Sequence, residues 1–498
     1  RRARRTGARS EQASSQAAEA SDGLEANISF ISSALRWGSD LQVRRFNLGS
    51  LPHRRAALLY LQGLSDRDYL ADSVLRPLMQ PREQALEVPE DQLAGLAEGV
   101  LTAASGVRRE RSLDGMLGGL LGGEALLLIE GSSEALLVDA KGWQTRAVDE
   151  PPSEAISRGP REGFVERRIR DRKLVFKAMA LGRRTKTTVV IAYLEDLARP
   201  DLVSEVTKRV SSIDIDGVLD TGYLAEFITD APLSPVNTVG STERPDVVAS
   251  RLLEGRVAIL ADGSPFALTV PSLLVESFQS PQDYYMSPVF QSMVRFTRYL
   301  AFLLSVLTLP LYVAINTYNQ ELIPTPLLLT IAASKEGTPF PAVVETAIML
   351  LFFEVLREAT LRMPRVLGQV VGVVGALVIG QASVQAGLVG APMVIATALT
   401  AISSFVVPGA TELGAVCRVL FLTLAATLGL FGLVMGGFLV LTHIASVTSF
   451  GVPVLSPVIS DRPSDLKDTA VRVPWWAMLT RPHGLPKSRR MRQNTERR

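Results

Sequence analysis

Hydrophobic and polar positions divide this chain into two unlike halves. From 366 to 411 there is no Asp, Glu, Lys or Arg, and from 419 to 460 there is again none. Roughly 20 apolar residues suffice to cross the hydrocarbon of a bilayer. Two uncharged stretches, each about twice that length, place the block from 295 to 460 in a membrane. Everything N-terminal to it reads as a soluble region that feeds into it.

In the soluble half the pattern predicts two subdomains. Leu58, Leu59, Leu61 and Leu64 recur at roughly helical spacing and 68–78 continues the pattern, so 24–110 reads as a helical subdomain broken at 81–90. From 113 the pattern changes to short apolar runs. Those at 125–130 and 135–139 are split by Gly131-Ser-Ser and predict a hairpin. The stretch 187–193, rich in β-branched residues, predicts a strand, and a charged helix is expected over 201–210. Runs at 257–260 and 266–270 flank a turn at Asp262-Gly-Ser-Pro265. Residues 113–275 are therefore expected to form a small α/β subdomain.

In the membrane half, 299–317 predicts a first span that Pro310 kinks. The apolar run 322–333 is too short to cross and is re-entrant or interfacial. Spans are then expected at 341–361, 367–387 and 392–407. The run 415–460 holds two spans broken near Gly436-Gly437, or one long helix followed by an interfacial tail. Basic flanks at Arg295, Arg298, Arg362, Arg365 and Arg418, and a basic C-terminus, give six crossings with both termini inside when every basic flank is cytoplasmic. The expected fold is thus an α/β N-terminal soluble region, a linker over 276–298 and a polytopic α-helical membrane domain of about six segments over 299–460. A disordered basic tail (1–23) and a basic cytoplasmic tail (461–498) bracket it, with anionic lipid as the sharper reading of both tails.

Composition refines this picture in a few places. A formal net charge of +2 over 498 residues gives no argument for nucleic acid. The single cysteine, Cys417, rules out an internal disulfide and reads as a packing residue. No apolar signal-peptide core occurs in the first sixty residues, so insertion through the internal spans is expected.

Chemistry in lipid is sought at ionisable and amide groups, which are costly there. Glu345, Glu354, Arg357 and Glu358 fall in the second span, with Glu345 on the face opposite Glu354. Glu358 and Arg362 are spaced to pair along the helix. Glu345 and Glu354, with Gln369, Gln381 and Gln385 of the third span, are the candidates for a polar pathway. The rival readings are an interfacial position for Glu345, a paired helix end for Glu354, and interhelical hydrogen bonds for the amides. Gly368, Gly372 and Gly375, then Gly429, Gly432 and Gly436, have the spacing that lets helices approach closely, within one chain or between subunits. His53, His443 and His483 are isolated from one another, and His443 is expected to be a satisfied buried donor. No metal, cofactor or catalytic constellation is recognisable, and no enzymatic role is expected. Thr242, Arg244, Pro245 and Asp246 read as a helix start with Thr242 as cap. With Asp283, Tyr284, Tyr285, Arg295 and Arg298 of the linker, they are candidates to couple the two halves.

Several strings then acquire a common meaning. They are Arg158-Gly-Pro-Arg-Glu-Gly-Phe164, Thr242-Glu-Arg-Pro-Asp246, Asp262-Gly-Ser-Pro-Phe266 and Ser280-Pro-Gln-Asp-Tyr-Tyr285. In the membrane half they are Pro339-Phe-Pro341, Leu356-Arg-Glu-Ala359, Gly380-Gln-Ala382 and Thr448-Ser-Phe-Gly451. In this order, over about 40–480, the chain resembles the A subunit of the GerA family of bacterial spore germinant receptors. The resemblance implies a multi-pass protein of the spore inner membrane with a cytoplasmic N-terminal domain. It implies a transporter-like B subunit and a lipoprotein C subunit as partners. It further implies a homo-oligomer, a pentamer, acting as a ligand-gated cation channel that starts germination. A paralogue resembling stage V sporulation protein AF shares the architecture. A non-conducting scaffold for the sensor subunit and a secondary transporter are the other classes, although no inverted repeat is evident.

Overall fold

The computed structural model describes residues 23–35, 41–50, 55–61, 64–80, 93–101, 106–140, 165, 168–363, 375, 378–459, 465–478, 480–481 and 485. The basic tail 1–23 (save Gly23), the break at 81–90, the string 158–164 and most of the third span lie outside these residues. Two compact units emerge: Arg1–Ile228 with Ser241–Thr269 and Pro486–Arg489, and Thr229–Gly240 with Val270–Leu485 and Arg490–Arg498.

The first unit begins with α1 (Leu24–Leu35), β1 (Leu41–Asn47) and β2 (Arg55–Leu61). After α2 (Leu93–Val100) come β3 (Val107–Glu110), α3 (Leu113–Leu121), β4 (Ala125–Ile129) and β5 (Ala135–Val138). The strands form one antiparallel sheet in the order β1-β2-β4-β5-β3. This corrects the helical subdomain expected over 24–110, and it moves the boundary at 113 into the middle of a sheet. The reason lies in β2. Ala57, Leu59 and Leu61 enter a core with α1 and α3, whereas Ala56 and Leu58 enter a second core with Leu70, Val74 and Ala97. A strand covered on both faces has no polar alternation to betray it.

A second sheet follows, ordered β6-β7-β9-β10-β8. Its strands are β6 (Leu174–Leu181), β7 (Thr187–Leu194), β8 (Gly240–Thr242), β9 (Val257–Ala261) and β10 (Ala267–Val270). Here the expected strands and the turn at Asp262-Gly-Ser-Pro265 are found, with Gly263 supplying the positive φ of 82°. The charged helix is α4 (Pro200–Ser211), followed by α5 (Thr221–Ile228) and α6 (Pro245–Leu253). Val190 and Ala192 of β7 pack with Val248 and Leu252 of α6 in the core shared with the first sheet.

The second unit carries α7 (Pro288–Tyr318), α8 (Thr325–Lys335), α9 (Ala342–Arg362), α10 (Ala391–Phe405) and α11 (Thr411–Ser446). Among the described residues two helices are long and apolar enough to cross a membrane, α7 and the stretch Pro408–Ser446 that contains α11. Six crossings were expected. Glu354, Arg357 and Glu358 charge α9 and α10 has 15 residues, which accounts for two of the spans, while most of the third span lies outside the described residues. Three boundaries also move. Helix α7 starts within the expected linker, at Pro288, and Pro310 lies inside it. The break in the last hydrophobic run is at Gly429 (φ 60°, ψ −139°) rather than at Gly436-Gly437. Finally, 465–478 is not a free tail but is bonded into this unit, as its contacts below show.

Gly429 does more than kink α11. A Cβ on Gly432 would lie 2.3 Å from the Leu424 carbonyl oxygen, and one on Gly436 would meet Leu424 and Phe421 at 2.8 and 3.0 Å. In a straight helix Phe421 and Gly436 would stand about 22 Å apart, so the two halves of α11 fold back on each other. The glycines are where they touch. Tyr318, at the end of α7, closes the turn. Its hydroxyl donates to the Ala426 and Thr427 carbonyls at 2.7 and 3.2 Å.

Candidate functional site

The densest polar constellation of the second unit stands where the linker enters α7. A short 3-10 turn, Pro281–Tyr284, presents Asp283, and one oxygen of that carboxylate accepts the Ser280 amide at 3.3 Å. Arg295 and Arg298 lie three residues apart on α7 and so share a face. Both reach Asp283. Arg295 donates through Nε and one terminal nitrogen at 3.2 and 3.1 Å. Arg298 donates to both carboxylate oxygens at 2.8 Å and to the Phe278 carbonyl at 3.0 Å. The side chains of Asp283 and Arg295 are fully buried.

A second carboxylate arrives from the C-terminal segment. Arg295 donates to Oδ1 of Asp468 at 3.0 Å and to the Asp468 and Thr469 carbonyls at 2.9 and 3.0 Å. The Tyr284 hydroxyl donates to the other Asp468 oxygen at 2.7 Å. Arg472 donates to the Met286 carbonyl at 2.8 Å and stands 5.7 Å from the centre of the Tyr284 ring, on which Trp475 also packs at 5.6 Å. The result is an alternating Asp–Arg–Asp chain with each guanidinium hydrogen-bonded. Burial pushes the Asp283 carboxyl up, but the Arg298 hydrogen bond, the Ser280 amide and the charges of Arg298 and Arg295 outweigh it. Its pKa therefore lies below the usual carboxylate range. Chemically this is a charge-neutralised clasp that holds 465–478 against the start of α7.

The other coupling candidates are not part of it. Arg244 pairs with Asp246 at 2.9 Å beside the start of α6, in the first unit. Thr242 is not the helix cap: its hydroxyl accepts the Arg244 amide at 3.2 Å, while Arg244 holds the cap position and Pro245 the first turn. Tyr285 is exposed.

The polar-pathway candidates separate into two classes. Glu345 is fully buried, near the start of α9, with its oxygens 3.3 Å from the Thr338 hydroxyl and 3.5 Å from the Gly390 amide. Glu354 pairs with Arg357 at 2.6 Å and lies 3.6 Å from Arg418. Gln381 and Gln385 are exposed, one turn apart, whereas Ser383 between them is buried. Gly375 abuts Leu356, where an added Cβ would sit at 2.8 Å. Gly368, Gln369 and Gly372 lie outside the described residues. His443 is exposed rather than buried, and bonds Ser234 at 2.9 Å. Cys417 is buried. Among the described residues no group of three His, Cys, Asp or Glu side chains is placed to hold a metal ion.

The model of the Bacillus/Clostridium GerA spore germination protein family matches residues 29–484. The chain belongs to this family. It is 39% identical to spore germination protein KA of Bacillus subtilis (strain 168) over 96% of this chain and 89% of the relative. It is 37% identical to spore germination protein B1 of the same organism, over 92% of this chain and 96% of the relative. The uncharacterized membrane protein YfkQ of that organism is also 37% identical, over 93% of this chain and 91% of the relative. Among solved structures, the N-terminal domain of the A subunit of the Bacillus megaterium spore germinant receptor GerK3 is 31% identical, covering 52% of this chain and 98% of that one, with a TM-score of 0.42.

Two residues of this GerA-family chain escaped the sequence reading. Asp468 sits in a segment taken for tail, and nothing local marks it; only its 173-residue reach to Arg295 does. Arg418 was read as a cytoplasmic flank. It is instead buried, donating from Nε to the Ser305 carbonyl at 2.9 Å. Its signal was available: a lone arginine followed by a long uncharged run must find partners inside the bundle.

Proposed function

We propose that this chain is the A subunit of a nutrient germinant receptor in the spore inner membrane, where it oligomerises into a ligand-gated cation channel. The family match over 29–484 supports the receptor reading, as do relatives named spore germination proteins. B and C subunits would be its partners, membrane lipid its surroundings, and the N-terminal unit would be cytoplasmic. The membrane half would make six crossings, with α11 supplying two through the reversal at Gly429.

The observation that carries the channel reading is the exposed pair Gln381 and Gln385 on an otherwise uncharged helical stretch. Amide groups on the outside of a membrane helix need water or a polar partner. Between copies of this chain they would line a wet path, and their carbonyl oxygens would solvate a monovalent cation. Glu345 is enclosed within one copy, and Glu354, a third exposed, is paired with Arg357; both would tune that path from behind. The same enclosure favours a second reading, a non-conducting scaffold that docks the sensing subunit. Opening would be a shift between two arrangements of the spans that nutrient binding biases, with the clasp at Asp283 joining α7 to the C-terminal segment through the change.

Cation efflux from liposomes holding the chain, alone and with its B and C partners, separates the two readings. Efflux that needs the partners and a nutrient is the expected result. An intact complex that releases no cation under any condition overturns the channel. Gln381→Leu combined with Gln385→Leu should lower flux at least tenfold while the complex still assembles.

A further inference from the structure

Helix α11 is followed by a small hairpin, β11 (Thr448–Ser449) and β12 (Val452–Pro453), built on the string Thr448-Ser-Phe-Gly451. Its two turn residues, Phe450 and Gly451, both have positive φ, 49° and 77°. A two-residue hairpin favours that backbone, but a phenylalanine adopts it at a cost and keeps it only where its surroundings hold it. Here Phe450 is buried, and its amide donates to the Asp230 carboxylate.

Asp230 belongs to an excursion of the chain. Residues 229–240 are part of the second unit, whereas 1–228 before them and 241–269 after them are part of the first. The Thr229 and Thr238 hydroxyls, 2.5 Å apart, close the base of the excursion. From it Val236, 2% exposed, packs in one cluster with Val306 of α7 and with Leu413, Cys417 and Ile444 from the two ends of α11. Ser234 of the same excursion bonds His443 in the last turn of α11 at 2.9 Å.

The hydroxyl of Ser449 joins this excursion to a second connecting segment. It donates to the Thr238 carbonyl at 2.6 Å and accepts the Ser272 amide at 3.0 Å. Ser272 follows the next boundary between the units, after Thr269. The Leu274 amide continues the join by donating to the Val454 carbonyl at 3.0 Å, and the Val454 amide donates to the Val447 carbonyl at 3.1 Å. Ser449 is fully buried, so loss of its hydroxyl leaves a buried donor and a buried acceptor unmet. One side chain thereby ties two connecting segments to the end of α11.

We propose that the hairpin 448–453 is a coupling latch with Ser449 as its positioning residue. A displacement delivered along 229–240 or 270–274 moves the end of α11, and Val236 passes it to the start of α11 and to α7. The latch itself does not need the channel; its role in opening rests on the channel reading.

Hydrogen exchange of the full chain in membranes tests the latch. Ser449→Ala should speed exchange at 230–238, 272–274 and 447–454 together, each about tenfold. Thr442→Ala, which removes an exposed hydroxyl bonded within α11, should leave all three unchanged. A change confined to the Ser272 amide, or to 447–454 alone, overturns the latch. Asp230→Ala acts from the other side of the turn and should speed the same three stretches, so the test survives a Ser449→Ala chain that fails to fold. Thr229→Val loosens the base of the excursion. Its effect on 447–454 should shrink severalfold in the Ser449→Ala background, and additive effects refute transmission through Ser449. In the complex with B and C partners, the ratio of cation efflux with nutrient to efflux without it should fall about fivefold or more for Ser449→Ala. An unchanged ratio removes the role in opening. A parent complex that releases no cation removes the channel reading instead, and the exchange results still decide the latch.

Discussion

Asp283→Asn tests the clasp without changing its size. The carboxylate accepts four contacts from two guanidinium groups between 2.8 and 3.2 Å, together with the Ser280 amide at 3.3 Å. An amide in its place offers one acceptor oxygen and turns an NH2 toward Arg295 or Arg298. Breaking a buried ion pair costs roughly 3–5 kcal/mol, mostly because the surviving charge is left uncompensated. Arg295 keeps Asp468, so the lower end applies, about 3 kcal/mol. At 1.4 kcal/mol per factor of ten, that is about a hundredfold shift in the local opening equilibrium. Hydrogen exchange of 281–285, the turn that Asp283 ties to α7, read in the intact chain, should therefore lose about a hundredfold of protection. The pH dependence adds a second check. Because the folded pKa of Asp283 lies below its ordinary value of about 3.9, the stabilisation is fully present above that value and is lost as pH falls through the folded pKa. The difference between parent and Asp283→Asn should be constant from about pH 8 to 5 and shrink below about pH 4. Equal exchange in the two proteins at neutral pH would show that Asp283 does not tie this turn to α7.

Three further outcomes follow from the packing. Gly432→Val should destabilise the chain, read as a thermal shift in detergent, far more than Gly437→Val, because the first meets the Leu424 carbonyl and the second has open space around it. Arg418→Met or Glu354→Met alone should each lower the melting temperature, while the double substitution recovers part of the loss, since it removes the buried Arg418 charge that Glu354→Met strands and leaves only the partly exposed Arg357 unpaired. Tyr318→Phe removes a hydroxyl that serves two carbonyls at the α11 reversal. It should cost about 1 kcal/mol, and an unchanged melting temperature would show that Gly429 alone sets the turn.

Much of the molecule is readable in one dimension. The two uncharged stretches carry the membrane expectation, and the structure gives two helices long and apolar enough to cross. The hairpin at Gly131-Ser-Ser and the turn at Gly263 follow from local backbone preferences, which need only neighbours in sequence. Asp283, Tyr284, Arg295 and Arg298 were legible as a group because they lie in the expected linker before the first span, and the structure does bring them together. The family strings carry the germination reading without any geometry.

Other features come from contacts that no local pattern records. Strand β2 looked helical because two separate cores cover its two faces, and periodicity reports only the difference between faces. The last hydrophobic run predicts a break near Gly436-Gly437 or one long helix, whereas the break is at Gly429. Tyr318, more than a hundred residues earlier, supports the reversal at Gly429. Arg418 resembles a solvated flank until Ser305 and Glu354 are seen to surround it. Asp468 is one acid in a basic tail until the fold lays it against Arg295. Sequence periodicity determines which face of an element avoids water; which element covers that face, and which distant charge neutralises a buried one, is decided only when the chain folds.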